Sequence, residues 1–338
     1  MRKVSLKQVA LAAGVSSSTV SLILNGKARQ MRISESLEKK VTRMALKMGY
    51  QPNQLAISLR TGKSRMIGLV VESISGRFFA SMAKVIEDEA EKQGYRVVYC
   101  STENDAKKGA DLIRMLAQRQ VDGYLITPTI GMEEDVKALY KAGKPVVMLD
   151  SYYPDLDIPH VLVDNYTGAK LAAQELVKRG FRRIGFVNID LPLIQMQQRE
   201  AGYKDVLKQA GIRFSNQLVV HLPYDLGPEK AISRIADFIQ GPARPEAIFF
   251  ASNYLGLSGL EAIEKLGLRI PTDTAVICFD DADIFRLYPP GISSVQQPVK
   301  EIAAKAMQLL LDQLSGKKLS PGKSKILLKP SLVIRGSI

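Results

Sequence analysis

Residues 5–26 read SLKQVALAAGVSSSTVSLILNG, and their pattern predicts two short helices joined by a tight turn. Leu6, Val9, Ala10 and Ala13 recur at intervals of three and four, the period of one helical face. Gly14 supplies a conformation that ends a helix, and Val15 plugs the apolar space behind the turn. Ser16 is a good N-cap for the next helix, Ser17 to Leu24, which buries Val20, Ile23 and Leu24 and closes at Asn25-Gly26. A third run, from about Ser34 to Met48, places Leu37, Val41, Met44, Ala45 and Met48 on one face. Two short helices around a Gly-containing turn make a helix-turn-helix, whose second helix can enter a major groove.

Working outward, charge separates this segment from the rest. Residues 1–65 carry thirteen Lys or Arg against only Glu35 and Glu38, a net +11 of the chain's +13. Residues 66–338 hold 34 basic and 32 acidic side chains. An excess confined to one fifth of the chain is an electrostatic footprint for a polyanion, not a general solubility charge. A solvated basic tail would lack the apolar positions that this segment places at helical spacing.

From Met66 onward, β-rich runs alternate with amphipathic helical runs. The strands read MIGLVV (66–71), YRVVYC (95–100), VDGYLI (121–126), PVVML (145–149), RIGFVN (183–188), QLVVH (217–221), EAIFF (246–250) and AVICF (275–279). Apolar strands alternating with helices predict parallel sheets covered on both faces. Eight units are too many for one small sheet, and the rhythm changes around 150–165. The fold class is therefore α/β, with two doubly wound lobes and a cleft between them, behind an all-α head. Ligands bind outside the carboxyl ends of such strands. Asp150 ends VVMLD, Asn253 follows EAIFFAS, Asp280 ends AVICFD, and Arg199 opens a helix before Glu200-Ala201-Gly202-Tyr203.

Other features mostly exclude. No apolar run approaches the ~20 residues that span a bilayer. The basic, amphipathic start lacks the core of a secretory signal, so a cytoplasmic location is expected. Cys100 and Cys278 fall in separate apolar runs and read as unpaired core thiols. With only His160 and His221, a histidine metal centre or catalytic triad is not expected, and no cofactor is. A transport solute-binding protein would explain two lobes but not the basic head. A metal-assisted hydrolase would need a spaced carboxylate or histidine set beyond Asp150, Asp164, Asp280 and Asp281. A nucleoid-coating protein would explain charge but not a cleft.

The head motif, with GYQPNQLAISLRTGKSRMIGLVV (49–71) after it and LLKPSLVIRGS near the end, resembles the LacI–GalR family of repressors over essentially the whole chain. The resemblance implies a DNA-binding head over 1–50, a hinge helix and linker over 51–65, and a periplasmic-binding-protein-like effector and dimerisation domain over 66–338. The chain would cross between lobes three times, with lobe 1 at about 66–162 and 294–322 and lobe 2 at about 163–293 and 323–338. The implied partners are a pseudo-palindromic double-stranded operator, a small effector and a second copy of the chain.

By position, the resemblance gives base reading to Ser17, Ser18 and Leu22, with Ser16, Thr19, Ser21 and Asn25 contacting phosphates or orienting the helix. Leu22 stands where the family often has Arg, so it offers apolar contact, for example with a thymine methyl. The basic stretch around Arg29 and Arg32 reads as phosphate-contacting, or else as a solvated loop. In the hinge, Pro52 to Leu59, Asn53 can cap a short helix from Gln54 through Ala56 to Leu59, too short to be stable alone. Leu59, beside Arg60, would wedge between central base pairs.

The resemblance places Phe78, Phe79, Asp150, Arg199, Asn253 and Asp280 around the effector. A guanidinium fork and a carboxylate suit a polyol, so a sugar or related hydroxylated metabolite is expected. Phe78 and Phe79 would face the ligand or pack in the lobe. Two departures stand out: Tyr254 replaces a usual acid, and Cys278 replaces a usual glycine. With no Trp in the chain, stacking would fall to Phe or Tyr, Tyr224 among them. A dimer is favoured over a tetramer because no leucine-heptad helix follows SLVIRGSI.

Overall fold

The computed structural model describes residues 4–51, 58, 61–317 and 320–338. The hinge positions Asn53, Ala56, Leu59 and Arg60 lie outside the described residues. The chain divides into two compact units, Met1–Ser64 and Arg65–Ile338.

Among the described residues, the first unit packs α1 (Leu6–Ala13), α2 (Ser17–Leu24) and α3 (Glu35–Lys47) together. Each begins at a serine whose hydroxyl accepts a backbone N–H. Ser5 forms a reciprocal box with Gln8, Ser16 accepts from Thr19 at 3.1 Å, and Ser34 accepts from Leu37. Each cap contributes about 1 kcal/mol, a large share of what so small a unit has. Gly14 takes φ +71°, which an L side chain rarely adopts, and so turns α1 into α2. Val9, Ala10, Ala13, Val20, Ile23, Ala28, Val41 and Ala45 are buried together at the centre.

The second unit contains two six-stranded sheets. The first runs β11-β5-β4-β3-β1-β2, all parallel, from β1 (Met66–Val71), β2 (Arg96–Ser101), β3 (Gly123–Ile126), β4 (Val146–Leu149), β5 (His160–Val163) and β11 (Lys325–Leu328). The second repeats that order as β12-β10-β9-β8-β6-β7. It comprises β6 (Ile184–Ile189), β7 (Val219–Leu222), β8 (Ala247–Phe250), β9 (Ala275–Phe279), β10 (Ser293–Gln296) and β12 (Ser331–Val333). Only β12 runs antiparallel to its neighbour.

Strand residues alternate between two apolar layers in the first lobe. Ile67, Leu69, Val71 and Leu125 pack under α4 (Arg77–Lys92) and α12 (Val299–Leu314). Val70, Tyr124 and Ile126 face α5 (Ala106–Gln118) and α6 (Glu133–Lys141) on the other side. In the second lobe α7 (Asn165–Lys178), α8 (Ile194–Gln209), α9 (Pro228–Gln240) and α10 (Asn253–Lys265) enclose β6 to β9. Gly202 is where α7 and α8 touch: a Cβ there would lie 2.4 Å from the Tyr166 carbonyl oxygen.

The expected lobe boundaries need correction at two crossings. Ser293–Gln296 pairs with β9, so the second crossing follows Gln296 instead of falling at 293/294. Lys325–Leu328 pairs with β5, so the third crossing lies at 329–330 and not at 322/323. Both errors come from strands that the sequence reading did not register. β5, β10, β11 and β12 have three or four residues each, and β5 follows β4 with no helix between to set the rhythm.

Candidate functional site

Because the strands of each lobe other than β12 run parallel, their carboxyl ends open toward one edge. Glu72 follows β1, Asp150 follows β4 and Asp280 follows β9. Asp150 and Asp280 both leave their strands in the left-handed conformation, at φ 63° and 69°. All three line one cleft of about 440 Å³ between the lobes. The six residues expected there, Phe78, Phe79, Asp150, Arg199, Asn253 and Asp280, all line it. Phe79 is also buried in the first lobe's core, with the half-buried Phe78 edge-on against it at 5.0 Å between ring centres.

Arg199 organises the second lobe's side. It is 2% exposed, and α8 carries it beneath the cleft. Its Nε donates to Asn165 Oδ1 at 2.8 Å, and its Nη1 donates to the Ala251 carbonyl at 2.6 Å and to Asp280 Oδ2 at 3.4 Å. The guanidinium lies 3.7 Å from the centre of the Phe279 ring. Asp280 Oδ1 accepts from Gln297 Nε2 at 2.5 Å. Across the cleft, Asp150 Oδ2 accepts from Gln195 Nε2 at 3.3 Å. The neighbouring Asp281 is not a cleft residue: Arg335 holds both its oxygens, at 2.8 and 2.9 Å, tying the end of the chain to β9 and β10.

Burial governs the carboxyl groups. It pushes Asp150 up to about 7, opposed by Arg199 and reinforced by Asp280 and Glu72. It also raises Glu72, opposed by a hydrogen bond from Tyr224. The Tyr224 and Tyr254 phenols, both lining the cleft, are raised by burial and then by Glu72.

Sequence reasoning missed Glu72, Gln195 and Gln297. The strand-end rule that found Asp150 and Asp280 applies equally to Glu72, directly after MIGLVV. Gln195 lies four residues before Arg199, on the same face of α8. Gln297 had no signal, because it follows a strand that was not read.

On the head, Ser18, Asn25, Arg29 and Arg32 are exposed, and Ser17, Thr19, Ser21 and Leu22 are half-buried. Leu22 stands outside the apolar core, leaving its side chain on the outer side of α2. Asn25 Nδ2 donates to the Ser21 carbonyl and hydroxyl, which fixes the end of that helix. Among the described residues, no single helix is long and apolar enough to cross a membrane.

A basic helix-turn-helix carried in one chain with a two-lobed α/β core around a polar cleft defines a DNA-binding transcriptional regulator with a ligand-sensing domain. Residues 5–53 match the model described as bacterial regulatory proteins, lacI family, and residues 173–338 match a periplasmic binding protein-like domain. The chain belongs to the lacI family. It is 29% identical to a ribose operon repressor of Haemophilus influenzae over 99% of this chain and 98% of that one. It is 30% identical to the transcriptional regulator DegA of Bacillus subtilis, with the same coverage, and to the repressor CytR of Escherichia coli over 98% and 96%. Among solved structures, it superposes on the Lac repressor dimer bound to operator and an anti-inducer with a TM-score of 0.86 at 22% identity, over 99% of each chain. A CelR–cellobiose complex matches at 0.71 and 25% identity, over 99% of this chain and all of that one.

Proposed function

We propose that the chain acts as a homodimeric repressor of a pseudo-palindromic operator, with affinity set by a hydroxylated metabolite, such as a sugar, held between the lobes. The observation that carries this reading is the buried Arg199, braced by Asn165 and Ala251 and set against Asp280 in a cleft large enough for a monosaccharide or disaccharide. Guanidinium, carboxylate and amide groups match the alternating donors and acceptors of a polyol, and Phe78, Tyr224 and Tyr254 offer rings for its apolar face. Asp150 and Asp280 are engaged by amides and a guanidinium, an arrangement for holding a ligand and not for turnover. Relatives named for ribose and cellobiose favour a sugar.

In this reading residues 1–50 bind DNA, 51–65 form the hinge and 66–338 sense ligand and dimerise. Ser17, Ser18 and Leu22 read bases, while Ser16, Thr19, Ser21, Asn25, Arg29 and Arg32 position the helix on phosphates. Asn53, Ala56, Leu59 and Arg60 contact the minor groove. The helix α4, Arg77–Lys92, with Val299–Leu314 beside it, supplies the dimer surface. The test is to select an operator from random DNA and measure its affinity by fluorescence anisotropy while titrating sugars. A sugar should shift the affinity of the wild type and not of Arg199→Ala or Asp280→Ala. An equal shift in all three proteins would place the effector elsewhere.

A further inference from the structure

We propose that the cleft selects a ligand bearing a protonated amine beside its hydroxyl groups, an amino sugar in preference to a neutral or phosphorylated one. This rests on the reading of the cleft as a sugar-type site. Its first support is charge. Glu72, Glu103, Asp150 and Asp280 line the cavity, and Arg199 is the one cation among the lining residues. Arg199 already gives Nε and Nη1 to Asn165, Ala251 and Asp280, so much of its hydrogen-bonding capacity is engaged within the protein. Glu103 is paired with Lys108 at 3.1 Å and Asp280 with Arg199, but Glu72 and Asp150 have no ion-pair partner among the described residues, so an entering phosphate would meet those two carboxyls.

The second support is independent of charge. Gln195 and Gln297 are only 4% and 6% exposed, and the Oε1 atom of each has no hydrogen-bond partner. Gln297 Nε2 donates to Asp280 at 2.5 Å, and Gln195 Nε2 donates to Asp150 at 3.3 Å, an orientation that the ionised form of Asp150, which only accepts, would fix. Once a cation ionises Asp150, two buried carbonyl oxygens in the cleft wall are left without donors beside two carboxylates. A buried acceptor left unmatched costs about 1–3 kcal/mol, so the site favours a ligand rich in donors. An ammonium supplies three donors and the compensating charge. Among the described residues, no three His, Cys, Asp or Glu side chains come together to hold a metal ion, which leaves an organic cation.

Asp150 adds a signature. Burial holds its proton up to about pH 7, with Asp280 and Glu72 raising it, Arg199 opposing, and the Tyr224 and Tyr254 phenols on the same cavity wall. An ammonium beside it would favour the ionised form and expel that proton on binding.

The experiment is calorimetry on the full-length protein with D-glucosamine, D-galactosamine and D-mannosamine. Each is paired with its neutral parent and the parent's 6-phosphate, in two buffers of different ionisation enthalpy near pH ~6.5. At least one amine should bind about tenfold or more tightly than its parent, the ratio of one pKa unit of charge interaction. Binding should release protons, and Asp150→Asn should lose both the preference and the release. A neutral parent that binds as tightly as its amine, or a phosphate that binds more tightly, overturns the amine inference and leaves the sugar site standing. Silence from the whole panel overturns the inference and counts against the sugar reading as well.

Discussion

Asp150→Asn should stabilise the protein at alkaline pH and leave it nearly unchanged in acid. The side chain is 8% exposed, and its carboxyl is displaced from 3.8 to about 7 in the folded chain. At about 1.4 kcal/mol per pKa unit, a displacement of roughly three units corresponds to about 4 kcal/mol. The folded state binds this proton more tightly than the unfolded chain does. The contribution is thus fully present below the unfolded pKa and lost as pH rises through about 7. Asparagine has nearly the same shape, tolerates φ 63° and never ionises. It gives up charge assistance in the 3.3 Å hydrogen bond from Gln195, about 1 kcal/mol. The expected gain is about 2–4 kcal/mol near pH 8 and within about 1 kcal/mol of zero near pH 4 to 5. Urea unfolding followed by circular dichroism, for both proteins at both pH values, measures it. A variant less stable than the wild type near pH 8, or a difference that does not change with pH, would refute the reasoning. The gain would come with impaired ligand binding, the exchange expected where a cleft holds unfavourable charge for use.

Operator affinity should fall with salt at a log–log slope of about −5 to −9 for the dimer, measured by anisotropy, since thirteen basic residues cluster in residues 1–65. Leu59→Ala should weaken specific binding and reduce the bend seen in circular-permutation gels, yet leave that slope unchanged because no charge is lost. Gly202→Ala should lower the core's thermal midpoint, by a cost of about 1–3 kcal/mol, because its methyl would meet the Tyr166 carbonyl at 2.4 Å and force α7 and α8 apart. Ser16→Ala should destabilise the head by about 1 kcal/mol and weaken DNA binding, read as a lower denaturation midpoint of the head's helical signal.

The head was legible because its signals are local. Ser5, Ser16 and Ser34 cap the three helices that the apolar spacing predicts, and Gly14 makes the expected turn. The two lobes were legible from long apolar strands such as MIGLVV and AVICF, which the structure reproduces as β1 and β9. The strands added late in the sequence were not. Lys325–Leu328 reads as an unremarkable basic and apolar tetrad, and only its partner Val161, far away in sequence, makes it a strand. The cleft divides the same way. Strand-end position picks out Asp150 and Asp280, but the role of Gln297 depends on how a non-local strand delivers it to Asp280.

The weaving of the chain between lobes also orders its birth. The head's buried cluster closes within residues 9–45, so it can form soon after the ribosome has released it. Neither lobe has that freedom. The first needs Val299–Leu314 to cover its sheet and Lys325–Leu328 to flank β5, and the second needs Ser331–Val333 beside β10. Arg335 must also arrive before Asp281 has its partner. A nascent chain therefore carries the head's closed cluster long before it has a finished sensor, and both halves of the sensor wait for residues between 325 and 335.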